Sequence, residues 1–245
     1  MITVEALKGA ITERITAYNE QDLPFAKRAT ETRDLLASQN HILATDIASP
    51  FDVPRQNLSA MDGYGIAKGS SLELGTTIDI VGESQAGIPF SGTLQPGQGV
   101  RIFTGAVVPR DCDTVVMQEN TNFADIKDNI DKSQTYSIEL TKTAKIDSNI
   151  RKQGEEIELG EVVLVKGKRI TPADISLLAN LGLAQVEVYK PLTVGILATG
   201  DELVDVGEPL QTLAQIYNSN TPTLKSMFAH LPVVIQDYGI IPDHL

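Results

Sequence analysis

Two carboxylates follow directly on an apolar run near the end of the chain. Val194 to Ala198 reads as a buried strand, short and continuous, Thr199-Gly200 as the turn that ends it, and Asp201 and Glu202 come next. Ligands of open α/β sheets sit just beyond the carboxyl ends of strands. Adjacent acids at such a spot are costly unless they face a cation, a proton or a polar ligand; the plain alternative is a solvated acidic loop. A second stretch, Ser59-Ala-Met-Asp62-Gly63-Tyr64-Gly65-Ile66, places a carboxylate among small residues that permit a tight turn and close backbone approach. Its plain alternative is an Asp bonding its own backbone. A third, Arg101-Ile-Phe-Thr104-Gly105-Ala-Val-Val-Pro109, repeats the layout of a strand followed by Thr-Gly and leads to Asp113-Thr-Val-Val-Met-Gln118-Glu119. Thr104 offers a hydroxyl that donates or accepts, or serves as the structural threonine of a hairpin.

The elements that must position these residues are read from periodicity. Val4, Leu7, Ile11, Ile15 and Tyr18 recur at helical spacing, with Thr3 as cap and Glu5 in the first turn. A second helix is expected from Pro24 to Ser38 and a strand over Ile42 to Ile47. Pro50 and Pro54 force an extended path and mark a boundary. From Pro54 to about Lys145 short β-like runs (Thr77 to Val81, Gly99 to Phe103, Thr114 to Gln118) alternate with turn residues, which predicts a small β domain. Val162 to Val165 is expected as a strand. Thr171-Pro172-Ala173-Asp174 opens a helix that stops at Gly182, and Val186 to Tyr189 is a strand.

Beyond Pro191 the order is the Val194 strand, a helix opening after Tyr217-Asn218-Ser219-Asn220-Thr221-Pro222 with Leu224, Met227, Phe228 and Leu231 as its buried face, and a strand from Val233 that Tyr238 to Ile241 extends. That is a βαβ unit, with a right-handed crossover and parallel strands expected. Two parallel strands are an unfinished sheet, so the reading expects either completion by another chain or an N-terminal piece of a longer protein. The domain division expected is an N-terminal helix (1–26), an α+β domain (27–48 with 147–190), a β domain inserted in it (49–146) and a truncated α/β domain (191–245).

Composition narrows the function. Of 245 residues, 42% are hydrophobic, enough for a packed core. Twenty Lys and Arg against 32 Asp and Glu leave a formal charge of −12, which argues against a general nucleic-acid or anionic-membrane surface. The single cysteine, Cys112, excludes an internal disulfide framework and a cysteine metal cluster. The three histidines are scattered, no signal peptide is evident at Met-Ile-Thr-Val-Glu, and no apolar run approaches membrane-spanning length. A cytoplasmic location is expected.

Six motifs then appear in one order: Ser-Ala-Met-Asp-Gly-Tyr, Glu83-Ser-Gln-Ala-Gly87-Ile-Pro89, Arg-Ile-Phe-Thr-Gly-Ala-Val-Val-Pro, Asn149-Ile-Arg-Lys-Gln-Gly-Glu-Glu-Ile157, Ala-Thr-Gly-Asp-Glu-Leu, and Ile216-Tyr-Asn-Ser-Asn220. Together they resemble the MoeA (molybdopterin molybdenumtransferase) family, related to the gephyrin E domain, from about Ile42 to the last residue. The resemblance implies a mixed multi-domain fold: a small α+β linker domain, a small β domain inserted in it, and an incomplete α/β parallel-sheet domain similar to MogA and MoaB. It implies insertion of molybdate into adenylylated molybdopterin with release of AMP, assisted by Mg²⁺. It implies Asp62, Thr104, Glu156, Glu202 and Asp243 as catalytic residues and Thr199, Gly200, Asp201, Asn218 and Asn220 as substrate-binding residues. Asp201, Glu202 and Asp243 are implied as Mg²⁺ ligands. An elongated homodimer is implied, with Asp62 and Thr104 of one subunit meeting Glu202 of the other, and a MogA-like molybdopterin adenylyltransferase as partner.

Four positions depart from the family pattern. Glu156 stands where the family has Asp, Pro242 and His41 where Arg is usual, and Gly65 where Ala is common. Family members continue for a further domain and a half, so this chain alone is expected to be inactive. Two alternatives stay open. A CinA-like α/β hydrolase would share only the Thr-Gly-Asp-Glu-Leu domain and not residues 54–145, and a gephyrin-like relative would be a non-enzymatic scaffold.

Overall fold

The computed structural model describes residues 3–20, 28–131 and 134–243. The chain forms two compact units, one of residues 1–47 with 164–245 and one of residues 48–163.

The second unit is built on a five-stranded sheet in the order Cys112–Met117, Gly63–Ala67, Gln98–Ile102, Thr77–Ser84, Tyr136–Glu139. Its pairs are antiparallel except Thr77–Ser84 with Gln98–Ile102, which run parallel. Successive side chains of a strand point to opposite faces, and the core divides accordingly. Val100, Ile102 and Val115 join one buried cluster, and Tyr64, Ile66, Ile78, Ile80, Val116 and Ile138 join another. Every residue of Gly63–Ala67 is buried, as suits a strand with a neighbour on each side. Gly63 is required there, since a Cβ on it would lie 2.0 Å from the Val116 carbonyl oxygen.

In the first unit, helix Val4–Glu20 begins at Thr3, whose hydroxyl accepts from the Ala6 N–H at 3.2 Å. Its apolar residues Val4, Leu7, Ile11 and Ile15 are exposed. The expected helix from Pro24 to Ser38 is corrected. Residues 24–27 lie outside the described residues, Thr30–Asp34 is a strand, and only Leu36–Ser38 is helical, as a single 3₁₀ turn. Thr30–Asp34 pairs antiparallel with Gln185–Tyr189 and alternates exposed and half-buried positions. Cross-strand pairing against buried Val186 and Val188 outweighs local helix propensity. The expected Ile42 to Ile47 strand shrinks to isolated bridges at Ile42 and Leu43 and a short strand Ile47–Ala48. The Asp46 carboxylate instead accepts the Lys166 N–H at 2.6 Å.

Helix Pro172–Asn180 carries the expected capping box. The Thr171 hydroxyl accepts from the Asp174 N–H, and the Asp174 carboxylate accepts from the Thr171 N–H at 2.8 Å. Farther on, Leu192–Thr199 and Val233–Ile241 pair in parallel with helix Asn220–Phe228 between them in sequence. A second short parallel pair joins Leu203–Val204 to Ile216–Tyr217. The expectation of a buried strand is corrected here, because only Ile196 and Ala198 of Leu192–Thr199 are buried. Leu224, Met227 and Leu231, expected as the buried face of the following helix, are exposed as well. Two strands and one helix do not cover both faces of a parallel sheet.

Candidate functional site

Asp62 sits in the turn between strands Leu58–Ser59 and Gly63–Ala67. Buried Ser59 shapes that turn by donating its hydroxyl to the Met61 carbonyl at 2.6 Å. Thr104 lies just past strand Gln98–Ile102, in a turn closed by Gly105 at φ +79°. The Gly105 N–H donates to the Ser59 carbonyl at 2.8 Å, so one residue anchors both turns. Thr104 donates its N–H and its hydroxyl to Asp62 Oδ1, each at 2.8 Å. Asp62 therefore bonds across 42 residues rather than to its own turn. The Thr104 backbone bond and then its hydroxyl bond hold the Asp62 carboxyl below the usual range against the opposing effect of burial, and the Arg101 charge adds the smallest contribution.

Behind Asp62 stand two residues that the motif reading quoted but did not single out. Arg101 donates through Nη2 to Gln118 Oε1 at 2.5 Å and through Nη1 to the Gly63 carbonyl at 3.4 Å. Its guanidinium lies over the rings of Phe123, Tyr64 and Phe103 at 4.7, 5.0 and 5.2 Å. The available signal was a lone cation in an apolar strand, three residues before Thr104. Arg101 also lines a cavity of about 470 Å³ with Glu83, Phe103, Phe123, Lys127 and Tyr136; Asp62 and Thr104 are not among its lining residues.

Glu156 forms an ion pair with Arg151, which also reaches Glu155 at 3.2 Å. Arg151 belongs to strand Ile150–Arg151, paired with Leu58–Ser59, the strand that leads into the Asp62 turn.

In the other unit, Leu192–Thr199 ends at Gly200, whose φ is +144°. The Glu202 carboxylate folds back over this glycine, and a Cβ at Gly200 would lie 2.8 Å from Glu202 Oε2. The Glu202 carbonyl accepts the Ile216 N–H at 2.9 Å. The Asp243 N–H donates to Asp201 Oδ1 at 3.3 Å, and the Gly200 N–H to the Ile241 carbonyl at 3.3 Å. The structure thus gathers Thr199, Gly200, Asp201 and Asp243 at the carboxyl ends of two parallel strands. Asn218 is buried; its amide bonds the Thr221 hydroxyl at 2.9 Å and accepts the Thr221 N–H at 3.2 Å. It ties down the start of helix Asn220–Phe228, while Asn220 is exposed as that helix's first residue. Among the described residues no group of three or more His, Cys, Asp or Glu side chains converges to hold a metal ion, so Asp201, Glu202 and Asp243 do not form such a cage unaided.

A mixed sheet with a braced Asp–Thr pair, and a separate parallel strand pair ending in acids, define a multi-unit α/β protein with two chemically equipped loops. The chain belongs to the family described as the MoeA N-terminal region (domain I and II), whose model matches residues 2–182. That match includes residues 54–145, which a CinA-like protein is not expected to share. The chain is 42% identical over 224 residues to a molybdopterin molybdenumtransferase of Haemophilus influenzae, covering 91% of this chain and 52% of the relative. It is 35% identical over 223 residues to one of a Nostoc species, covering 89% and 49%. A crystal structure of a molybdopterin biosynthesis MoeA protein from Pyrococcus horikoshii aligns with a TM-score of 0.76 at 27% identity, covering 88% of this chain and 56% of that one. The chain spans about half the length of the curated relatives it matches. Among the described residues no helix is long and apolar enough to cross a membrane.

Proposed function

We propose that this chain contributes to molybdenum cofactor biosynthesis, in the insertion of molybdate into adenylylated molybdopterin with release of AMP. The observation that carries this reading is the 42% identity to a molybdopterin molybdenumtransferase across 91% of the chain. The geometry agrees with it. Asp62 is an ionised carboxylate fixed through one oxygen by two donors of Thr104, a preorganised group facing solvent at a sheet rim. Asp201, Glu202 and Asp243 offer the hard oxygen donors that Mg²⁺ takes. Mg²⁺ commonly uses only one or two protein carboxylates and completes its shell with water and substrate phosphate, so the reading does not require Asp201, Glu202 and Asp243 to converge on the ion together. When bound, the cation offsets phosphate charge.

The reading extends to a homodimer, a MogA-like partner that delivers the adenylylated substrate, and a cytoplasmic location. It also takes the α+β linker, the inserted β domain and the incomplete MogA- or MoaB-like sheet as the three parts of the fold.

The test uses the protein expressed from its complete reading frame, supplied with adenylylated molybdopterin, molybdate and Mg²⁺, with AMP followed by chromatography. AMP release that needs molybdate, and that falls at least tenfold in Glu202→Ala and in Asp62→Asn, is the expected result. Unchanged rates in both variants would overturn the site.

A further inference from the structure

We propose that Arg101 and Gln118 are positioning residues: they close a hydrogen-bonded ring around the Asp62–Gly63 peptide and set Asp62 where Thr104 can clamp it. The ring is continuous. The Gln118 N–H donates to the Asp62 carbonyl at 3.1 Å. Gln118 Oε1 accepts from Arg101 Nη2 at 2.5 Å, and Arg101 Nη1 reaches the Gly63 carbonyl at 3.4 Å, one peptide unit from the start. The sheet supplies the geometry. Arg101 is the register partner of Tyr64, so both side chains share one face, and the guanidinium carbon lies 5.0 Å from the Tyr64 ring centroid.

Three features separate this arrangement from ordinary core packing. First, the two carbonyls it holds belong to the consecutive residues Asp62 and Gly63, at the point where the turn enters the strand. Second, Arg101 is on strand Gln98–Ile102 and Thr104 follows it by three residues, just past the strand's end, so the segment that braces the Asp62 backbone also delivers the donors to its side chain. Third, the ring needs the guanidinium's shape. Two nitrogens address two acceptors at once while the planar group stacks on aromatic rings, which a lysine ammonium cannot do. Any cation would serve the aromatic contacts alone; the fixed spacing of the guanidinium nitrogens is what matches the Gln118 and Gly63 oxygens.

The catalytic consequence rests on Asp62 acting in the proposed reaction, but the ring does not, and the experiment separates the two. Arg101→Lys keeps the charge and loses the fork. Gln118→Met keeps the N–H bond to Asp62 and loses the acceptor for Arg101. Amide hydrogen exchange and a ¹³C titration of the Asp62 carboxyl are measured by NMR on this chain, and kcat and KM for AMP release on the protein from the complete reading frame. In both variants the Thr104 amide should exchange at least tenfold faster while the amides of Cys112–Met117 change less than twofold. The Asp62 carboxyl should titrate at higher pH, and kcat should fall with KM little changed. Wild-type exchange and titration in both variants would overturn the ring, as would an equal loss of protection along Cys112–Met117, which would make Arg101 a general stabiliser. Should Arg101→Lys not fold, Gln118→Met decides alone. Absence of AMP release in the wild type would defeat the proposed function and leave the exchange result to judge the ring.

Discussion

Thr104 directs two donors at a single oxygen of Asp62, its N–H and its hydroxyl both 2.8 Å from Oδ1. Hydrogen bonds to the ionised form favour it, so the Asp62 carboxyl is held below its ordinary 3.8. Thr104→Val removes the hydroxyl and keeps the N–H, and the carboxyl should then titrate closer to 3.8 without reaching it. The sign for stability follows. A carboxyl lowered in the folded state contributes stability that is present above its unfolded value and lost as pH falls through its folded value. The difference in melting temperature between wild type and Thr104→Val should therefore be constant above about pH 5 and close below about pH 4. Because the pair is exposed, the effect should stay under about 1 kcal/mol. A ¹³C titration of Asp62 with melts at three pH values checks both parts.

Two glycines near the site predict unequal costs for the same substitution. Gly63→Ala drives a Cβ to 2.0 Å from the Val116 backbone oxygen, so the edge strand Cys112–Met117 would have to give up its pairing with Gly63–Ala67 to make room. It should cost more than about 3 kcal/mol. Gly105→Ala meets nothing within 4 Å and suffers only from its φ of +79°. Its cost should be about 1–2 kcal/mol. Urea unfolding followed by circular dichroism separates the two, and equal costs would contradict the packing at Gly63.

Local chemistry made part of the fold legible. The capping box at Thr171 and the stop at Gly182, whose φ is +72°, depend on residues within one or two turns. Strands Thr77–Ser84, Gln98–Ile102 and Cys112–Met117 were readable because β-branched runs lie between turn residues. The misreadings were of partners. Thr30–Asp34 is a strand because Gln185–Tyr189, about 150 residues away, pairs with it, and no window around residue 30 contains that information. Val194 to Ala198 reads as a buried strand because its residues are apolar, yet burial depends on what covers the sheet. At the site, Asp62 and Thr104 stood out as turn residues with chemistry, but their bond did not, since it depends on the register of Gly63–Ala67 against Gln98–Ile102. The bond between the Asn218 amide and Thr221 was equally out of sight in the sequence, although the two residues lie three apart.

The capping box makes a pH-dependent prediction of its own. Asp174 is buried, which pushes its carboxyl up, but the Lys168 ammonium at 2.6 Å from both carboxylate oxygens and the hydroxyl and N–H of Thr171 outweigh this, and the net shift is downward. Asp174→Asn should lower stability by roughly 1–2 kcal/mol at pH 7, through loss of the ion pair with Lys168 and weakening of the charge-assisted bonds from Thr171, while the Thr171 cap itself remains. The folded-state value lies below the unfolded 3.8, so wild-type and variant melting temperatures should converge as pH drops below about 4. Convergence on raising the pH would contradict the assignment.

Cys112 is buried beside Asp111 and Asp113, and loss of hydration first, then the two negative charges, push its thiol up to about 12. At pH 8 roughly one molecule in ten thousand would carry the thiolate, the reactive form. Its position also favours the thiol state, since Cys112 packs with Ala67, Val100 and Val115 in one of the two core clusters. The native chain should therefore show no fast reaction with an aromatic disulfide reagent at pH 8 and release one equivalent of chromophore on addition of denaturant. The same measurement reports on Gly63→Ala, because strand Cys112–Met117 is the one its Cβ would push against. That variant should expose Cys112 and react without denaturant, whereas Gly105→Ala should remain protected. Fast labelling of the wild type would show that the Cys112 edge of the sheet opens far more readily than its buried packing implies.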